Sequence, residues 1–427
     1  MLGLVVFFSA TQLGLHFWPT SSLVYGIRVD YLAPTLYFLD ILIILFLSLR
    51  RLFDRRPEQG SSRDAEGGRS LLVGVFPILL LNLLFSANPL STLSWSLHFL
   101  LYLLFFLSLP KIYLLKSISY VLPLTLLFQL ALSSTQVYLG HSIGGLMYYL
   151  GERSMAVGQP AVALGSFMDS VVLRAYGTFG HPNVLAGWAV VCLLILIQIS
   201  QTVIPKASKQ RDVRGSDPLR RSWPAAKMFS RLQNTIWRPG QTLLVPITLT
   251  AFIILLTQSR SAGLALFGLV IPFYLIKKLK FRLVYFAIFL SFLFSLLSPT
   301  QILSPSRAEL SLSQRLDLQG ISLKVISRYP IFGTGAQASI STYPSLAPGN
   351  RLLQPDHNSF TLFLSWFGLL GVLATILILK SKILNLKSFI PIVPLLLLDH
   401  YFLTSPQGLF IFLLYLKLNY SHAQKNL

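Results

Sequence analysis

A succession of about twelve apolar runs, each near the roughly 20 residues that cross a hydrocarbon core, constrains this chain more than any other feature. Backbone groups inside lipid must be satisfied within their own segment, so the expected fold is an all-α polytopic membrane protein. The runs fall at approximately 1–17, 33–49, 70–87, 93–109, 117–134, 183–203, 241–257, 261–276, 282–298, 358–379, 388–404 and 406–418. The last two, separated by Ser405-Pro406, also fit a single re-entrant hairpin. Composition agrees with this class: 427 residues that are 54% hydrophobic and 11% charged, at a mean hydropathy of +0.66, exceed what a soluble core uses. That excludes a soluble globular enzyme. The N-terminus opens on an apolar run without a basic n-region or a small-residue cleavage site, and reads as a retained first span. Cys192, inside an apolar run, is the single cysteine, so neither a disulfide framework nor a thiolate metal site can form within the chain.

Charge then orients the bundle. A net charge of +21 would suggest nucleic acid in a soluble protein, but most Lys and Arg here sit in short segments between apolar runs, as topology signals do. The partners expected are the lipid bilayer and phosphate groups, with no nucleic acid. With the N-terminus inside, the segments 50–69, 110–116, 204–240, 277–282, 380–387 and the C-terminal tail are cytoplasmic and hold 26 of the 35 Lys and Arg. The loops 135–182 and Pro299 to Asn358 fall outside, with small outer turns near 18–32 and 258–260. The nine outer cations are Arg28, Arg153, Arg174, Arg260, Arg307, Arg315, Arg328, Arg351 and Lys324. Arginine's planar, permanently charged fork suits bidentate phosphate or carboxylate recognition.

Even-numbered spans then begin outside, presenting free N–H groups and the positive end of the helix dipole to that face. Three of these starts carry unusual sequence. Span six follows Arg174-Ala175-Tyr176-Gly177-Thr178-Phe179-Gly180-His181-Pro182-Asn183, where glycines allow close backbone approach and Pro182 suits a first helical turn. Span eight follows Ser259-Arg260-Ser261-Ala262, and span ten starts at Asp356-His357-Asn358. Taken singly, His181 fits a helix cap and Arg260 a snorkelling arginine. Within the large outer loop, Leu312 to Arg328 has the pattern of an amphipathic helix at 100° per residue. Ser313, Asp317, Lys324 and Arg328 form its polar face, while Arg315 points the other way, among Leu318, Gln319, Ser322 and Ile326. An arginine on the buried side needs a partner: an anionic ligand, or an acidic residue such as Glu309. The turn Tyr329-Pro330-Ile331-Phe332-Gly333-Thr334-Gly335 has glycines that would let a substrate approach.

GTFGHPNVLAG at 177–187, QSRSAG at 258–263, the run from Arg315 to Gly335, and the stretch from DHNSF to WFGLLG at 356–371 together resemble the bacterial O-antigen ligase and polymerase superfamily. The resemblance implies a membrane glycosyltransferase. Its substrates would be a polyprenyl-diphosphate-linked glycan donor and a glycan or lipid acceptor hydroxyl, joined at the outer face of the bacterial inner membrane. It also implies N-terminal transmembrane helices over 1–134 and a ligase-like membrane domain over 135–427 that includes outer loop 299–357. Carried over by position, Arg260, Arg315 and His357 are the catalytic candidates, with Arg174 and His181 binding substrate. Preorganised arginines would stabilise charge on the departing diphosphate, and a histidine, which ordinarily titrates near pH 6.5, would take the acceptor proton. Neither an Asp-x-Asp pair nor a His-Glu-x-x-His helix is present, so the expectation is metal-independent chemistry with no cofactor. Ligase and polymerase differ in the acceptor. A transporter or flippase of lipid-linked or anionic solute is the alternative from another class, with Asp40 and Asp399 as its clearest carboxylates within spans.

Overall fold

Most of the apolar runs that fall on described residues become helices in the computed structural model, which describes residues 1–53, 62–167, 170–209, 243–275, 305–382 and 390–423. The longer ones are α2 (Phe38–Phe53), α3 (Ser62–Leu84), α4 (Pro89–Ser108), α5 (Lys111–Leu139) and α6 (Pro182–Lys209), after the short α1 (Leu2–Phe8). Then come α7 (Leu244–Thr257) and α8, which starts as Arg260–Gly263 and continues as π-helical Leu264–Leu275. The loop helix is α9 (Pro305–Arg328), followed by α10 (Ser359–Lys382), α11 (Val393–Leu398), α12 (Tyr401–Thr404) and α13 (Pro406–Ala423).

Among the described residues, four helices are long and apolar enough to cross a membrane: Pro89–Ser108, Ser117–Leu139, Pro182–Ser200 and Ser359–Leu377. Leu71–Leu84 and Leu244–Thr257 are apolar but shorter. The expected ninth span, 282–298, lies outside the described residues, as do 54–61, 210–240, 277–282 and 383–387 of the basic segments.

Two other expected spans differ in form. The run 1–17 is helical only to Phe8, where the Ser9 hydroxyl donates to the Val6 carbonyl at 2.7 Å. Buried Thr11 then donates to Leu150 O, and Gly14–His16 forms a strand antiparallel to Thr35–Tyr37. The small turn expected near 18–32 is therefore a folded layer. Its hairpin pairs Leu23–Val24 with Ile27–Arg28 through Tyr25 and Gly26, both left-handed, as a two-residue hairpin turn demands. Val24, Val29 and Leu32 of this layer pack on Leu318, Ile321 and Val325 of α9 and on Tyr343. The α9 wheel is as the 3.6-residue period predicts: Ser313, Asp317, Lys324 and Arg328 are exposed, Leu318 and Ser322 buried, Arg315 half-buried. The other revised run, 388–404, breaks at Asp399, whose backbone is extended, so two short helices replace one span.

The central helix is α6, with every side chain from Leu185 to Leu196 buried apart from Gly187, which has none. Gly187 is required there, because a Cβ would strike the Tyr401 hydroxyl. Helix α10 also carries a break, at Gly368 (φ 60°, ψ −169°). The Tyr329–Gly335 turn lies against that break and satisfies it. Leu369 N donates to Pro330 O at 2.8 Å and Leu370 N to Ile331 O at 3.1 Å, while Thr334 N and Gly335 N donate to Ser365 O and Trp366 O. Asn82 of α3 closes the arrangement, donating to Trp366 O at 2.7 Å and accepting from Ala336 N at 2.9 Å. The glycines read as openings for substrate thus have a packing role: a Cβ at Gly333 would strike the Trp366 carbonyl.

Asp40, at the start of α2, is a second buried polar knot. It accepts from Tyr37 N at 2.9 Å and Tyr102 OH at 3.0 Å, and lies 3.0 Å from His98 Nε2. Removing the carboxylate strands three donors in a buried setting. Asp40→Ala is expected to cost about 3 kcal/mol or more, read as a lower melting temperature in detergent; an unchanged melting temperature would contradict this account.

Candidate active site

The three helix starts singled out by sequence meet at one end of the bundle; those of α6 and α10 carry local side-chain caps, while that of α8, preceded by Ser259, has none. At α10, Asp356 Oδ1 accepts from Asn358 N at 3.1 Å, Asp356 Oδ2 accepts from the Thr361 hydroxyl, and Asn358 Oδ1 accepts from Phe360 N at 2.9 Å. Asp356 and Asn358 are thus capping residues, and they pin the backbone of His357 between them. The imidazole keeps 22% of its surface open, and its Nδ1 lies 3.5 Å from Asp399 Oδ1. That is an ion-pair distance rather than a hydrogen bond, and Nδ1 has no hydrogen-bond partner.

Asp399 is the residue that joins the segments. Ser261, next to Arg260 at the start of α8, donates to its Oδ2 at 3.1 Å, and Ser359 of α10 donates to its backbone carbonyl at 2.6 Å. Arg315 reaches over from α9 and donates through Nη1 to Leu398 O at 3.4 Å, at the C-terminal end of α11 where a cation is favoured. This carbonyl is neither the anionic ligand nor the acidic residue expected for Arg315, and the Glu309 side chain lies outside the described ones. The His400 ring stands 5.1 Å from that of His357. From sequence, Asp399 stood out only as a carboxylate within a span, on the transport alternative, and His400 carried no signal that placed it in the site.

Arg174 and His181 sit beside this group, and both have structural work there. Arg174 donates through Nε to Thr257 O at 2.7 Å and through Nη2 to Asn183 Oδ1 at 2.8 Å, tying the end of α7 to the start of α6. Burial lowers its pKa to about 10, with Arg315 and Arg260 adding to the effect and Asp399 opposing it. His181 accepts from Asn183 N on Nδ1 at 3.2 Å, a capping contact that puts its own proton on Nε2. Its ring has open surface but protein around it. That loss of bulk water, followed by the charge of Arg174, pushes its pKa down and keeps the imidazole neutral. The glycines before it fit side chains rather than ligand: Gly177, left-handed, donates to Gln136 Oε1 at 2.8 Å.

The arrangement is cationic and partly open. Arg260 is exposed and Arg315 half-buried, and His181 feels the charges of Arg174, His357, Arg315 and the single counter-charge of Asp399. Among the described residues, no three His, Cys, Asp or Glu side chains are grouped to hold a metal ion. Such a site can bind a polyanion, and it offers an imidazole backed by a carboxylate for proton transfer.

Residues 245–379 match the family described as O-Antigen ligase, a span that runs from α7 through α10 and contains Arg260, Arg315 and His357. Arg174, His181, Asp399 and His400 lie outside it. No curated protein matches the chain.

Proposed function

We propose, from the match of residues 245–379 to the O-Antigen ligase family and the four helices long and apolar enough to cross a membrane, that the chain transfers a glycan from a polyprenyl-diphosphate donor to an acceptor hydroxyl. The reaction takes place at the extracytoplasmic face of the bacterial inner membrane, in a protein of about twelve spans divided at residue 134. Arg260 and Arg315 hold the diphosphate. His357 removes the proton of the acceptor hydroxyl as its oxygen bonds to the anomeric carbon, and the anomeric carbon–phosphate oxygen bond breaks, leaving the polyprenyl diphosphate. Asp399 stabilises the imidazolium that forms. The arginines and the buried helix ends face the charge that grows on the leaving oxygen, so the chemistry proceeds without a metal. Arg174 and His181 shape the diphosphate side, Arg174 through its charge and His181 as an Nε2–H donor.

The observation that carries this reading is the pairing of His357 with Asp399, which Ser261 beside Arg260 also holds, within the field of three arginines. Arg260 supplies the test, because its exposed side chain supports no fold contact among those described. In proteoliposomes with a lipid-diphosphate oligosaccharide and candidate acceptors, Arg260→Ala is expected to cut transfer by about 100-fold, the usual loss when one preorganised donor to a developing oxyanion is removed. Arg260→Lys recovers part of it, since the charge returns without the fork. Wild-type rates in the alanine variant would remove the diphosphate clamp from this proposal.

A further inference from the structure

Two aromatic side chains adjoin His357, one directly and one through the other, and neither lies in the 245–379 domain. Tyr31 belongs to the single turn Asp30–Leu32 of the N-terminal layer. Its ring meets that of His400 edge to face, with centroids 5.7 Å apart and planes at 79°, and His400 in turn neighbours His357. The position of Tyr31 is fixed from below. Leu32 is fully buried against α9, and the Ser91 hydroxyl donates to its carbonyl at 2.7 Å. His400 Nδ1 is engaged with Thr404 Oγ1 at 2.7 Å, which leaves Nε2 as its free ring nitrogen. The Tyr31 side chain is half-buried, and among the described residues its hydroxyl has no hydrogen-bond partner.

Resting on the transfer reaction proposed above, we infer that Tyr31 and His400 form the acceptor subsite and hold a saccharide ring beside His357. The chemistry of the pair selects that ligand. Flat aromatic faces bind the C–H face of a sugar, and a phenol and an imidazole nitrogen together offer a donor and an adaptable second group for its hydroxyls. Burial, with Asp30 and Asp399 nearby, raises the Tyr31 phenol to about 12, so its hydroxyl stays protonated and able to donate. The base must touch the acceptor, so the aromatic groups that adjoin the base meet the acceptor sugar.

The test uses full-length protein in liposomes, a polyprenyl-diphosphate oligosaccharide as donor, and either lipid A–core or a second lipid-linked oligosaccharide as acceptor, whichever the wild type glycosylates. Tyr31→Phe keeps the ring and its packing but removes the donor, and its acceptor KM is expected to rise about five- to tenfold, as for one lost hydrogen bond. Its donor KM moves less than twofold. Tyr31→Ala raises acceptor KM further. An unchanged acceptor KM in the phenylalanine variant, or equal rises for donor and acceptor, would overturn the subsite while leaving the transfer reaction standing. Absence of transfer by wild type to both acceptors would overturn the reaction itself and the subsite with it.

Discussion

His357→Ala is expected to lower the rate of glycan transfer by about two to four orders of magnitude, the range a positioned general base contributes, with the protein still folded. The separation of chemistry from folding follows from how the residue is held. Asp356 and Asn358 make the capping contacts of α10 through their own side chains and the backbone, and none of these bonds involves the imidazole. Truncation therefore leaves the helix start in place. Its effect should appear in kcat with both substrates saturating, because in the proposed reaction the imidazole acts on a proton that moves only as the new bond forms. Asp399→Asn is the natural companion: it keeps shape and the Ser261 contact while removing the charge that faces Nδ1. A loss smaller than about fivefold in His357→Ala, at an unchanged melting temperature, would take this histidine out of the chemistry.

Gly368→Ala is expected to destabilise the fold by about 3 kcal/mol or more, although the residue lies outside the candidate site. Its φ of 60° with ψ of −169° is a region that essentially only glycine occupies, and a non-glycine residue there pays about 1–3 kcal/mol in strain alone. A Cβ would also strike the Ile331 carbonyl, and the Tyr329–Gly335 turn would have to move away. That turn carries the bonds from Leu369 N and Leu370 N, so its displacement strands donors in a buried place. Gly333→Ala attacks the same contact from the other side, and the two substitutions should be clearly non-additive in a double-mutant cycle because they face each other. Melting temperature in detergent reads both effects, and a Gly368→Ala protein that melts with wild type would contradict this account of the kink.

The two carboxylates that favoured a transport path have local partners. Asp40 is occupied by His98, Tyr102 and the Tyr37 amide, and Asp399 by Ser261 and His357. Carboxylates engaged in this way have a fold or site function that needs no moving ion.

The sequence by itself determined the helical, membrane-spanning class of the molecule and the helix starts near Pro182, Arg260 and Ser359. Hydropathy over about 20 residues identifies what lipid can surround, and caps such as Asn358 and prolines such as Pro182 are read by their nearest neighbours in the chain. The candidates Arg260, Arg315 and His357 each drew notice from a local signal: a serine-flanked helix start, the wrong face of an amphipathic wheel, a capping motif. Only the tertiary structure decided that 1–17 stops at Phe8, that 388–404 breaks at Asp399, and that Tyr31 reaches His400 from the other end of the chain. A break in a helix frees N–H and C=O groups that only other segments can satisfy, as Ser359 does for the Asp399 carbonyl and Arg315 for that of Leu398. No average over neighbouring residues contains those partners.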